Sequence, residues 1–165
     1  MSVNLILFGF KGCGKTYYGK RLAEKLRCRF IDTDELLGKP PKEIVASVGE
    51  EGFRAMEREA VRGLKGVENA VIAVGGGTVL EAENVEVLRE LGQMVYLDTP
   101  VEVLRKRMML GDWPSFLSGE DSFWQMIRER TVIYESIDAR RVCTENLDET
   151  GVLAALRSIV LLDGI

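Results

Sequence analysis

The chain alternates short apolar runs with longer amphipathic segments. The apolar runs predict buried strands at 3–8, 29–31, 70–74 and 93–97, with a weaker strand at 141–143. Apolar residues that recur every three or four positions predict helices at 15–26, 40–48, 53–64, 81–91, 100–109, 120–134 and 149–161. Strands and helices that alternate in this way favour a single α/β domain, with a parallel sheet flanked by helices in three layers.

Glycine and proline set several of the expected boundaries. Pro40 and Pro41 can open a helix that runs to about residue 48, and Gly49 and Gly52 are expected to interrupt it. Residues 110–119 contain Gly, Ser and Pro and follow a predicted helix, so they are expected to form a loop.

The strongest motif is a glycine-rich stretch, GFKGCGKT, at residues 9–16. It matches the phosphate-binding pattern G-x-x-x-x-G-K-[ST], and a predicted strand precedes it while a predicted helix follows. Glycines let backbone N–H groups turn toward an oxyanion, and the helix N-terminus adds positive partial charge. Lys15 can reach the β- and γ-phosphates of a nucleotide, and the Thr16 hydroxyl can ligate Mg²⁺.

Other features narrow the class of nucleotide-binding protein. The chain has no Asn-Lys-x-Asp motif, which a GTPase uses to recognise its base, and its 165 residues are few for a large ATPase domain. The sequence therefore favours a small-molecule or nucleotide kinase.

Two carboxylates follow the second predicted strand, at Asp32 and Asp34. Phosphoryl transfer needs one carboxylate near a magnesium ion and one near the acceptor hydroxyl, and these two residues suit those tasks. One alternative is that Asp34 caps a helix beginning at Glu35. Asp98, at the end of the fourth predicted strand, is a second candidate for the metal, although it can equally cap the following helix.

A second substrate would need its own polar groups. Arg54 and Glu57 lie one helical turn apart and can pair, although a solvated surface pair is an equally frequent outcome of this spacing. Gly75, Gly76 and Gly77 follow the third predicted strand and can present backbone N–H groups to an oxygen-rich ligand. An arginine beside them would suit a carboxylate.

Composition excludes several other classes. The chain has no histidine, so no mechanism based on imidazole is open to it. A net charge of −4 without a run of basic residues argues against a nucleic-acid partner. Three cysteines without metal-ligand spacing favour a reduced, cytoplasmic setting. The apolar run at residues 1–9 is too short to span a bilayer, so neither a membrane segment nor a leader is expected. Separately, we expect the protein to be a monomer.

Taken in order, these motifs resemble those of the shikimate kinases, a family of P-loop kinases related to the nucleoside-monophosphate kinases. The resemblance covers nearly the whole chain, including a segment around Trp113-Pro114 that matches the family's mobile lid and an arginine ahead of Tyr134. It implies that 1–165 is one kinase domain, with about 33–62 binding the acceptor and about 110–119 forming the lid. It also implies transfer of the γ-phosphate of Mg²⁺-bound ATP to the 3-hydroxyl of shikimate, within aromatic amino-acid synthesis.

The resemblance also implies residue roles. Lys15 and Asp34 are the expected catalytic residues, with Asp34 as the base, and Glu57 would orient Arg54. Thr16 and Asp32 are expected at the metal. The residues expected at the nucleotide are Gly12, Cys13, Gly14, Lys15, Thr16, Tyr17 and Arg107. The residues expected at shikimate are Asp34, Arg54, Gly75, Gly76, Gly77 and Arg130.

The lid departs from the family pattern. Trp113 stands where the family has an arginine that closes over the phosphates, and such an arginine is worth about 10³ or more in rate in other phosphoryl-transfer enzymes. Three alternatives stay open: Lys11 supplies the charge, the enzyme is slow, or the acceptor is another small hydroxylated acid. A fourth is a nucleotide-binding protein that has lost its kinase activity, although such a protein has no need of an acceptor pocket.

Overall fold

The chain folds around one buried central strand. In a computed structural model that describes residues 4–111 and 117–162, this strand, β1, spans Asn4–Phe8, and every residue in it is buried. β2 (Arg29–Asp32), β3 (Ala70–Ala73), β4 (Gly92–Asp98) and β5 (Arg140–Cys143) complete a parallel sheet in the order β2-β3-β1-β4-β5 across the described residues. The predicted parallel sheet is confirmed, including its weak last strand.

Helices connect and cover these strands. β3 is buried along its whole length like β1, which is typical of a parallel sheet covered on both faces. The helices are α1 (Lys15–Leu26), α2 (Thr33–Leu36), α3 (Pro41–Arg62), α4 (Ala82–Leu91), α5 (Val101–Leu110), α6 (Glu120–Ser136) and α7 (Glu149–Leu162), and a 3₁₀ turn spans Thr78–Leu80.

The helix α3 differs from the prediction in one respect. Gly49 has a φ of 77° and kinks the helix there, as expected, but Gly52 was wrongly predicted to interrupt it. Helical structure resumes right after the kink, and a Cβ on Gly52 would lie 2.8 Å from the Cβ of Val48. A glycine at 52 therefore lets the helix pass close to its own preceding turn.

The sheet order decides where a ligand can bind. β1 lies between β3 and β4, with Leu7 opposite both Ala73 and Val95. The chain fills one side of β1 with β3 and β2 before it crosses to β4, and ligands of such sheets bind beyond the carboxyl ends of the strands at this reversal. Across the described ranges, no helix combines the length and the apolar character needed to cross a membrane.

Candidate active site

One cavity of about 1140 Å³ opens at the carboxyl edge of the sheet. It is bordered by the loops after β1, β2 and β3 and by side chains from α3, α5 and α6, so it can hold a nucleotide and a small acceptor together. Cys13 does not line it, because its side chain is completely buried in the phosphate loop. The predicted site residues that do line the cavity are Gly12, Gly14, Lys15, Thr16, Tyr17, Asp32, Asp34, Arg54, Gly75, Gly76, Gly77, Arg107 and Arg130.

The loop after β1 is shaped to receive a phosphate. Gly14 has a φ of 98°, a conformation that favours glycine, and a Cβ there would lie 2.7 Å from the ring of Tyr18. The helix α1 begins at the next residue, so its first N–H groups and its positive end face the loop. Lys15 spans the loop, and its Nζ donates to the carbonyl oxygens of Gly9 at 2.8 Å and Phe10 at 2.9 Å.

A hydroxyl and a carboxylate meet beside this loop. The Thr16 Oγ1 donates to Oδ2 of Asp32 at 2.7 Å. The other oxygen of Asp32, Oδ1, accepts from the backbone N–H of Asp34 at 3.0 Å and so caps α2. The alternative in which Asp34 caps a helix beginning at Glu35 is therefore wrong: the helix begins at Thr33, and Asp32 is its cap.

These two side chains fit a magnesium ion that arrives with a nucleotide. Mg²⁺ is usually held by one or two protein oxygens together with phosphates and water, so a single hydroxyl and a single carboxylate are enough. No cluster of three or more His, Cys, Asp or Glu side chains that could hold an ion by itself occurs in the described part of the chain. Asp98 is excluded as the rival ligand, because its Oδ2 accepts from Arg141 at 2.7 Å and it does not line the cavity.

The Asp34 carboxyl lies between the phosphate loop and the glycine triplet. A Cβ on Gly75 would come 2.8 Å from its Oδ1. Burial raises the pKa of Asp34 from 3.8 to about 6, and the negative charges of Asp32 and Glu57 add to the rise, while Lys15 and Lys11 oppose it. A carboxylate with a pKa near 6 is a stronger base than an ordinary aspartate and is still ionised at neutral pH.

Arg54 and Glu57 form a buried pair, not a solvated surface pair. Glu57 is 2% exposed and its Oε2 accepts from the Nη1 of Arg54 at 2.7 Å. The other oxygen of Glu57 accepts from the hydroxyl of Thr78 at 2.6 Å. Glu57 therefore holds the Arg54 guanidinium at the cavity wall.

The glycine triplet lies against both predicted acceptor arginines. A Cβ on Gly77 would overlap the Arg54 guanidinium, and a Cβ on Gly76 would lie 3.6 Å from Nη1 of Arg130. The Gly76 carbonyl oxygen accepts from the hydroxyl of Tyr134, which is on α6 with Arg130. Side chains thus crowd the backbone at Gly75 and Gly77, where a Cβ would lie too close to Asp34 and to Arg54, while Gly76 has ordinary contacts.

Side chains from α5, α1 and α7 also line the cavity. Arg107 on α5 donates from Nη1 to the Gly12 carbonyl oxygen at 2.6 Å. The Tyr17 hydroxyl donates to Oε2 of Glu149 at 2.6 Å, and the Nε of Arg21 donates to Oε1 of the same carboxylate at 2.9 Å. The guanidinium of Arg21 also lies 3.6 Å from the centre of the Tyr17 ring, so these three side chains join α1 to the start of α7.

Some side chains that support the site were not predicted from the sequence. Glu149 belongs to no recognisable motif, although it lines the cavity and accepts a hydrogen bond from Tyr17. Thr33 accepts from the N–H of Gly75 at 3.2 Å, and its position between the two aspartates was the one available signal. Thr78 directly follows the glycine triplet, but nothing in the sequence relates it to Glu57.

Fold and site together define the class. A phosphate loop at the carboxyl edge of a parallel sheet, with a hydroxyl–carboxylate pair beside it and two arginines lining the same cavity, is the arrangement of a P-loop phosphotransferase. Comparison with known proteins identifies the family: a family model described as "Shikimate kinase" matches residues 11–160. The chain belongs to the shikimate kinase family.

Individual relatives agree with this assignment. A protein named shikimate kinase from Moorella thermoacetica is 42% identical over 144 residues, covering 84% of this chain and 83% of the relative. Another from Symbiobacterium thermophilum is 38% identical over 164 residues, covering 93% and 94%. Among solved structures, shikimate kinase from Acinetobacter baumannii in complex with shikimate superposes with a TM-score of 0.90 at 28% identity, covering 100% of this chain and 96% of the other.

Proposed function

We propose that this protein transfers the γ-phosphate of ATP to the 3-hydroxyl of shikimate, giving ADP and shikimate 3-phosphate for aromatic amino-acid synthesis. Membership of the shikimate kinase family makes the chain an ATP-dependent kinase with shikimate as its acceptor. The observation that supports the residue assignments most is the position of Asp34: a carboxylate with a raised pKa faces the same cavity as the phosphate loop and the Arg54–Glu57 pair.

The nucleotide is proposed to bind along the phosphate loop. The backbone N–H groups of residues 12–16 would hold the β-phosphate, and Cys13 would act through its backbone alone because its side chain is buried. Lys15 would leave the two carbonyl oxygens that it now contacts and turn to the β- and γ-phosphates. Tyr17 and Arg107 also line the cavity, and the adenosine is proposed to lie beside them.

Thr16 and Asp32 are proposed to hold Mg²⁺. When bound, the ion would neutralise charge on the β- and γ-phosphates. The present hydrogen bond between the two side chains already sets their oxygens 2.7 Å apart beside the loop. Asp32 is further fixed by capping α2, so its carboxylate is oriented before any ligand arrives.

The acceptor is proposed to bind between the glycine triplet, α3 and α6. Arg54 and Arg130 would take the shikimate carboxylate, because both guanidinium groups line the cavity and lie close to Gly76 and Gly77. Asp34 would accept the proton of the 3-hydroxyl as its oxygen attacks the γ-phosphorus and the bond to the β-phosphate oxygen breaks. The proton then resides on Asp34 until it passes to solvent.

The regional assignments stay predictions. Residues 33–62 include Arg54 and Glu57, which supports an acceptor-binding role for this region. Residues 110–119 are proposed as the lid, and residues 112–116, with Trp113, lie outside the described part of the chain. Lys11 lines the cavity, which supports it as the charge that replaces the family's lid arginine. The cytoplasmic location and the monomeric state also stay predictions.

A coupled assay of ADP release tests this function. With ATP and Mg²⁺, addition of shikimate is expected to raise the rate of ADP release by at least about two orders of magnitude over the rate without acceptor. A related hydroxylated acid such as quinate serves as the comparison acceptor. ADP release that is the same with and without shikimate would contradict the proposal. Faster ADP release with the comparison acid would show that this acid, and not shikimate, is the substrate.

A further inference from the structure

We infer that Thr78 is a positioning residue for the acceptor carboxylate: its hydroxyl fixes Glu57, and Glu57 in turn fixes the Arg54 guanidinium. This inference rests on the proposed function. Thr78 lies behind the cavity wall and is not among the residues that line it, so it would act through the pair and not by touching the substrate.

The hydroxyl of Thr78 is held by its surroundings. The side chain is completely buried, in the 3₁₀ turn that follows the glycine triplet. The backbone N–H of Thr78 donates to the Gly75 carbonyl oxygen at 3.1 Å, and its carbonyl oxygen accepts from Nδ2 of Asn84 at 2.9 Å. With both backbone groups engaged, the hydroxyl donates to Oε1 of Glu57 from a fixed position.

Glu57 is oriented by two donors on different elements. Its Oε1 accepts from Thr78 at 2.6 Å, and its Oε2 accepts from Arg54 at 2.7 Å. Without the hydroxyl, the buried Glu57 carboxylate would have one side-chain donor left among the contacts of the described residues, Arg54. It could then rotate about its terminal torsion, because the hydrogen bond that Thr78 gives to Oε1 would be lost.

The Arg54 guanidinium depends on that orientation. It is 17% exposed and lies against Gly77, where a Cβ would overlap it, so the Gly77 backbone limits its movement on that side. A fork that must meet a planar carboxylate through two parallel hydrogen bonds tolerates little rotation. A movement of Glu57 would therefore misalign Arg54 and weaken acceptor binding, while the nucleotide end of the cavity would be untouched.

Steady-state kinetics of Thr78→Val test this inference. The variant keeps the shape of the side chain and loses the hydroxyl, so the KM for shikimate is expected to rise about 10-fold while the KM for ATP stays within twofold. Thr78→Ser retains the hydroxyl and is expected to restore the KM for shikimate to near the wild-type value. Thr78→Ala removes the same hydroxyl without placing a methyl group beside Glu57. If Thr78→Val does not fold, the KM for shikimate is measured on Thr78→Ala instead.

The carboxamide of shikimate provides a second readout. It lacks the negative charge that Arg54 would recognise, so the wild-type enzyme is expected to discriminate strongly between the acid and the amide. In Thr78→Val this ratio of kcat/KM values is expected to fall about 10-fold, because the acid loses its aligned partner and the amide has little to lose. Val160→Ala, a buried change on α7 away from the cavity, is the control for lost stability and should leave the ratio unchanged.

The outcomes separate the two proposals. If wild-type enzyme shows no shikimate-dependent ADP release, the proposed function fails, and with it this role for Thr78. If the wild type is active but Thr78→Val keeps a KM for shikimate within twofold, or raises both KM values equally, then the positioning role alone is overturned.

Discussion

Replacing Asp34 by asparagine should abolish phosphate transfer and make the protein more stable at neutral pH. The amide has nearly the same shape but cannot accept a proton from the acceptor hydroxyl. Loss of a general base typically costs about 10²–10⁴-fold in rate. The affinity for ATP should change little, because the Asp34 carboxyl lies beside Gly75, where the acceptor is proposed to bind.

The stability effect follows from the raised pKa. A pKa of about 6 in the folded protein, against 3.8 ordinarily, corresponds to at most about 3 kcal/mol of unfavourable free energy when Asp34 is ionised. The side chain keeps some contact with solvent, so about 2 kcal/mol is expected. Between pH 3.8 and pH 6 the folded state holds a proton that the unfolded state has lost, so this contribution to stability falls as pH rises through that window.

Urea unfolding at two pH values measures this effect. At pH 7.5 Asp34→Asn is expected to exceed the wild type in free energy of unfolding by about 2 kcal/mol. At pH 4 most of this difference should be gone, because the folded wild type is then protonated at Asp34. Asp138→Asn removes an exposed carboxylate and is the matched control, with little change expected at either pH.

The rate profile of the wild-type enzyme completes the prediction. If Asp34 titrates near pH 6, kcat/KM for shikimate should fall about tenfold between pH 7.5 and pH 5, whereas a base with a pKa of 3.8 would lose almost nothing. A rate that stays constant down to pH 5 would rule out Asp34 as the base. So would an Asp34→Asn variant that is active and no more stable than the wild type at pH 7.5.

Three further changes test the other ends of the cavity. Arg54→Ala should raise the KM for shikimate about 100-fold and leave the KM for ATP unchanged. Arg58→Ala, one turn along α3, should alter neither KM. An equal rise in both KM values for Arg54→Ala would contradict the carboxylate role. Asp32→Asn should raise the Mg²⁺ concentration for half-maximal rate about 10-fold or more, and an unaltered Mg²⁺ titration would remove Asp32 from the metal. Glu149→Ala should raise the KM for ATP several-fold, because Tyr17 loses its acceptor, with the KM for shikimate as the internal control.

Contiguous motifs made much of this site predictable. Residues 9–16 carry the complete phosphate-loop pattern, and a strand before it with a helix after it were expected from periodicity alone. Asp32 and Asp34 were predicted at the cavity because they follow a strand, although Asp34 reaches it from the first turn of α2 and not from the strand itself. A feature of the site can be predicted from local sequence when one short segment forms all of it.

Contacts between distant segments could not be predicted. Tyr17 and Glu149 are 132 residues apart, and Glu57 and Thr78 are 21 apart on different elements. The spacing of Arg54 and Glu57 predicted that they can pair. It could not predict that the pair is buried, because burial depends on how α3 packs beside the glycine triplet. The uninterrupted helix at Gly52 has the same origin, because the room that a glycine leaves is known only once Val48 is in place.

The most direct test of phosphate transfer to the 3-hydroxyl of shikimate is to identify the product. Purified enzyme is incubated with ATP, Mg²⁺ and shikimate, and the mixture is followed by ³¹P and ¹H NMR. We predict one molecule of shikimate 3-phosphate for each ADP formed, with the new phosphorus signal coupled to the proton on carbon 3. A phosphate on another hydroxyl, or ADP accompanied by inorganic phosphate with shikimate left intact, would contradict this prediction.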